Sequence, residues 1–151
     1  MVNVVDDAWD YLNLSIRTYV NATNTMHKLF ALKTIVISMI IATDNLLEHF
    51  GDFPEIKFHG YIEESSFFLP LEAYEQRVND LIFLEEKLDI DPVFEYSRRL
   101  RRALDTLKIA YGKYGLRSLL VTNIKDFIND AQFFIQDIQE LIKKKKGSNY
   151  F

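Results

Sequence analysis

Residues 29–47, LFALKTIVISMIIATDNLL, constrain this chain more than any other stretch. On a helix, Leu29, Phe30, Leu32, Ile35, Val36, Ile37, Met39, Ile40, Ile41, Leu46 and Leu47 would project in nearly every direction. A helix that is apolar all round has to be covered, by other elements or by lipid. The uncharged run from Thr34 to Thr43 lies between Lys33 and Asp44. It falls far short of the roughly 20 residues that cross a bilayer. The stretch is therefore expected to form a central helix wrapped by its neighbours, with no membrane partner.

A chain of 151 residues can fold as one domain that buries roughly 70% of its unfolded surface. Five Gly and three Pro are few for a turn-rich β fold, so the covering elements should be long helices. The first should run from about Asp6 or Asp7 to about Thr23, with Trp9, Leu12, Ile16, Tyr19 and Val20 as its apolar stripe. Thr23-Asn24-Thr25 reads as the capping cluster that opens the central helix, and Gly51 as the residue that stops it. Residues 52–69, including Phe67 and Phe68, lose all periodicity but are rich in Phe and Ile, so they read as an irregular insert packed on the bundle.

Pro70 suits the first turn of a third helix ending near Asp89. Asp91-Pro92 is a start signal for a fourth, whose apolar face carries Val93, Tyr96, Leu100, Ala103, Leu104, Leu107, Tyr111 and Tyr114. Gly112 and Gly115 mark its end. The fifth, from about Ser118 to Lys145, sets Leu120, Ile124, Phe127, Ile128, Ala131, Phe134, Ile135, Ile138, Leu141 and Ile142 on one side. The expected fold is all-α: five helices resembling a four-helix bundle, in a single domain over residues 1–147, with a short tail at 148–151.

Several function classes lack their chemistry. With no Cys, the chain has no disulfide, thiolate zinc site or thiol nucleophile. No basic and then apolar leader opens the sequence, so a cytoplasmic location is expected. Glu48, His49, Asp52, Glu55 and His59 gather carboxylates and imidazoles. They lack the Glu-x-x-His and His-Glu-x-x-His spacings and read as solvated residues at a helix end and in a loop. His27 reads as a neutral residue near the start of the central helix, where a positive charge would oppose the helix dipole. Phosphate-cradling glycine motifs and the G-x-S-x-G elbow are absent. No catalytic residue, metal, cofactor or small-molecule substrate is expected.

The charge pattern is more informative. Residues 72–91 hold seven acids against two bases, and residues 92–117 hold seven bases against two acids. Two readings stand. The third and fourth helices can be electrostatically matched neighbours, packed antiparallel. Alternatively Arg98, Arg101, Arg102 and Lys108 can form a contact face for an anionic partner, since guanidinium groups suit bidentate contact with phosphate or carboxylate. A net charge of −4 argues against a generic nucleic-acid coat protein but not against such a local patch. Phe133 projects about 140° from the middle of its helix's apolar stripe, so it should be exposed. With Phe67 and Phe68 it would make a dimer patch.

The segments IIATDNLLEHFG, RRALDTLKIAYGKYG and IKDFINDAQFFIQDIQELI, in this order, resemble HEPN-type helical bundles, including the PaREP1-like archaeal members. The resemblance spans about residues 9–142 and rests on helix pattern. It implies a short helical domain that pairs with itself or with a nucleotidyltransferase. Its active members are RNases with an Arg four to six residues before a His. Here Arg17 precedes His27 by ten, and no Arg closely precedes His49 or His59, so RNase chemistry is not carried over. The sequence is read as a non-catalytic helical interaction module for a protein partner or for self-association. The alternative is a HEPN-like protein associated with nucleic acid or nucleotides, as a toxin–antitoxin component or a small regulator of nucleic-acid machinery.

Overall fold

The computed structural model describes residues 4–50, 79 and 95–148. Helix α1 spans Val4–Asn21, α2 Thr25–Phe50, α3 Tyr96–Ala110 and α4 Val121–Ser148, with a 3-10 turn at Gly115–Ser118 before the last. Among the described residues there is no strand, and the chain is all-α. The predicted insert with Phe67 and Phe68, and all of the predicted third helix but Asn79, lie outside the described residues. The predicted fourth and fifth helices are α3 and α4.

Helix α2 packs on α1, α3 and α4. It is the central element its composition requires. Every residue from Thr34 to Ile40 is buried, which is almost two full turns with no solvated side. Ile37 and Ile40 are 1% exposed, whereas Ile41, expected to be as deep, is only half-buried at the edge of the core. The window Thr25–Thr43 is long and apolar enough to cross a membrane by length and composition, and 56% of it is buried by the protein itself. Lys33 falls near the middle of this window, partly buried, and burial lowers its ammonium pKa.

Among the described residues four hydroxyls sit in this core: Ser15 on α1, and Thr34, Ser38 and Thr43 on α2. Each donates to a carbonyl one turn back in its own helix, to Tyr11 (2.8 Å), Ala31 (2.8 Å), Ile35 (2.6 Å) and Met39 (2.9 Å) respectively. The donors are satisfied without water, so these small residues let helices approach closely at little polar cost.

The turn between α1 and α2 follows the capping chemistry of its sequence. Asn24 Oδ1 accepts from the His27 backbone N–H at 2.9 Å, and Asn24 Nδ2 lies 3.2 Å from His27 Nδ1. Asn24 is thus the N-cap of α2, its side-chain oxygen covering the amide at the third helical position, while the His27 ring pairs with the Asn24 side-chain amide and not, as in a capping box, with its backbone N–H. Asn24→Ala should cost about 1 kcal/mol in denaturant unfolding, with Asn24→Ser close to wild type. Equal stability of all three chains would remove the cap from the account.

The stripes are modified at their ends. On α1, Ala8 and Leu12 are fully buried and Trp9, Ile16 and Tyr19 pack against the core, but Val20 is 71% exposed. At 100° per residue Val20 lies about 20° from the partly buried Trp9 but about 80° from Leu12 and about 120° from Ala8, which puts it at the outer edge of the stripe in the last turn of α1. On α3, Leu100, Ala103, Leu104 and Leu107 are buried as expected, while Tyr111 and Tyr114 are exposed because the helix stops at Ala110. Leu120, expected on the apolar face of the last helix, is 69% exposed because that helix starts one residue later, at Val121. Helical periodicity gives no direction to side chains outside the helix.

At the other end of α3, Glu95 has left-handed backbone angles (φ 45, ψ 45), so a helix begun at Pro92 does not run unbroken into Tyr96. Nothing in the residue type signals this, since a left-handed Glu is disfavoured by roughly 1–2 kcal/mol. Helix α4 runs to Ser148, one residue into the expected tail.

Candidate partner-binding face

The arginines of α3 do not form one patch. At 100° per residue the helix divides them into two flanks of the apolar stripe and an outer ridge. Arg99, Arg102 and Thr106 flank the side toward α4. Arg101 lies on the opposite flank, where it donates to Asn79 Oδ1 at 3.4 Å. Asn79 is the one described residue of the predicted third helix. Arg98 stands on the ridge and reaches back to Glu95, at 3.3 Å, with most of its side chain in solvent. Lys108 is exposed in the last turn of α3, where the dipole favours a cation.

Helix α4 answers the first flank with acids. Asp126, Asp130 and Asp137 fall within about 40° of one another around its axis. The Arg99 guanidinium donates to Asp137 Oδ2 at 2.6 Å with both side chains mostly covered, and it lies 5.4 Å above the Phe134 ring. Arg102 is 3.9 Å from Asp130 and both remain about half in solvent, so this pair adds little. The charge match that the sequence suggested between the third and fourth helices is thus made, for Arg99 and Arg102, by the last helix.

Arg99 was not among the expected contact residues, yet it is the most engaged base on α3. The signal that would have found it is the i, i+4, i+11 spacing of Asp126, Asp130 and Asp137, beside the apolar stripe facing α3. Between the two helices Arg99, Arg102, Thr106, Asn123, Asp126 and Asp130 line an open cleft of about 300 Å³. Its bases and acids largely neutralise one another.

Phe133 is 59% exposed on the outer side of α4. It lies about 60° around the helix from Asp130 and about 40° from Asp137, so it borders the seam with α3. The structure therefore places Arg98, Arg102 and Phe133 on neighbouring outer surfaces and turns Arg101 toward Asn79. Phe67 and Phe68 lie outside the described residues.

A second open groove, of about 420 Å³, runs beside the α1–α2 turn, lined by Leu14, Arg17, Thr18, Asn21, Ala22 and His27. It brings together an arginine and a histidine ten residues apart in sequence. Among the described residues no group of three or more His, Asp or Glu is placed to hold a metal ion; Glu48, His49, Asp52, Glu55 and His59 fall outside the described side chains.

No family model, curated protein or solved structure matches this chain.

Proposed function

We propose that this chain is a non-catalytic helical interaction module that acts through the outer face of α3 and α4, by binding a protein partner or a second copy of itself. The observation that carries this reading is the exposure of Phe133 in the middle of a polar helix face, 59% of a large aromatic surface with no place in the chain's own core. Large aromatics at the centre of a polar patch are typical anchors of association. The surroundings favour self-association. Acids on α4 and arginines on α3 lie side by side, so a two-fold pairing sets the bases of one copy against the acids of the other. The five-helix count expected from the sequence draws support from Asn79, which is helical and bonds Arg101.

Phe133→Ser should weaken association by roughly 2 kcal/mol, read by sedimentation, with no loss of folding stability. The double reversal of Arg98 and Arg102 to Glu should also leave folding nearly unchanged, because both side chains are mostly in solvent and their ion pairs are weak. Association should fall and lose its salt dependence. A chain that stays monomeric at high concentration, and whose Phe133→Ser form differs in neither solubility nor partner binding, would sink the proposal.

A second reading, of a HEPN-like protein associated with nucleic acid, draws on the meeting of Arg17 and His27 in one groove. RNA breakdown lost in both Arg17→Ala and His27→Ala would favour it over the interaction module. Breakdown that survives both changes would remove its support.

A further inference from the structure

The connection from α3 to α4 is a built platform of exposed apolar residues. Gly115, at φ +59, makes the left-handed turn that a side chain would strain. The Gly115 N–H donates to Gly112 O at 3.0 Å, Leu119 N–H to Leu116 O at 3.1 Å, and Ser118 Oγ to Gly115 O at 2.8 Å. Leu116 and Leu119 pack inward against the core. With those two pinned, Tyr114 (72%), Leu120 (69%) and Val121 (71%) are held outward, and Ile109 and Tyr111 are nearly half exposed beside them. Five large apolar side chains exposed within thirteen residues of a folded connection form a patch of the kind that marks a binding surface.

Within its own sequence the connection carries charge of one sign, with Asp105 and Asp126 standing just outside it. Residues 106–125 contain Lys108, Lys113, Arg117 and Lys125 and no acid, while the rest of the chain holds fourteen bases against twenty-two acids. All four cations are exposed, and Lys113 Nζ lies 5.8 Å from the Tyr114 ring. A basic corner on an otherwise acidic body is oriented by an anionic surface, which attracts the corner and repels the remainder.

We infer that the α3–α4 connection docks on an anionic membrane surface, with Tyr114, Leu120 and Val121 entering the headgroup–acyl boundary and Lys113 and Arg117 contacting lipid headgroups. Apolar insertion together with cation–headgroup attraction is the usual basis of interfacial binding, and tyrosine is at home at that depth. A single-stranded nucleic acid would use the tyrosines and the cations but leaves Ile109, Leu120 and Val121 without a role. The early expectation of no membrane partner rested on the length of the apolar run in α2, which bears on crossing a bilayer and not on resting against one.

The test is co-sedimentation of the full chain with vesicles of phosphatidylcholine alone and of phosphatidylcholine mixed with phosphatidylserine. The chain should pellet with the mixed vesicles only and be released by salt. Lys113→Glu with Arg117→Glu should weaken binding by roughly thirtyfold or more. Tyr114→Ser with Leu120→Ser should abolish it at unchanged salt. All four positions are exposed, and unchanged thermal unfolding checks each fold. Phe133→Ser should bind vesicles normally, which separates this surface from the proposed association face. No pelleting with mixed vesicles overturns the inference, as does pelleting that both double variants retain. Tight binding of single-stranded RNA by a chain that ignores vesicles, lost in the same variants, overturns it in favour of nucleic acid.

Discussion

Phe134→Ala should lower the stability of the bundle by roughly 3–5 kcal/mol, the largest loss expected of any single change described here. Its ring is fully buried on α4, and the Arg99 guanidinium stacks on it while bonding Asp137. Truncation therefore leaves a cavity and removes the surface against which an arginine is held in a mostly covered ion pair. Phe134→Leu keeps most of the volume and should recover much of the loss. Urea unfolding of the three chains measures this directly. A cost under about 1 kcal/mol for the alanine form would mean that α4 does not pack on the core through this residue.

Ile40→Ala should cost about 2–5 kcal/mol. Ile40 is 1% exposed, on the helix that touches the three other described helices. The cavity would open where several helices meet, and a site with neighbours on every side collapses poorly, which favours the upper part of that range. A measured loss below about 1 kcal/mol would contradict the placement of α2 at the centre.

What the sequence made legible follows from how strongly each feature depends on local pattern. The central helix was readable because no amphipathic alternative fits residues 34–40, and the α1–α2 turn because Asn24 carries its own capping chemistry. The interior positions of the last stripe, such as Phe127, Phe134 and Ile138, were readable from period alone. The errors cluster where a helix ends. Tyr111, Tyr114 and Leu120 continue the apolar spacing on paper, but a helix that stops at Ala110 and a successor that starts at Val121 leave them outside it.

The candidate face was legible in kind but not in arrangement. A block of arginines on one helix says that acids should be near, and it does not say which neighbour supplies them. Arg101 and Arg102 are adjacent in sequence, yet one bonds Asn79 and the other lies near Asp130. The choice depends on the tertiary placement of two other helices. Phe133 was found because an aromatic on the polar side contradicts its own helix's pattern, and such a contradiction needs no tertiary knowledge to see.

The buried hydroxyls of α2 have a consequence for how the bundle chooses its register. Thr34, Ser38 and Thr43 each direct their one proton to a carbonyl of their own helix, so none is available to latch onto an adjacent one. At those positions the neighbours meet methyl and methylene surface. Sliding a covering helix by a turn breaks no hydrogen bond from these groups, so at these positions it is the fit of side-chain shapes that opposes it. Swapping core residues for others of similar size should then blur the alignment of the helices before it unfolds them.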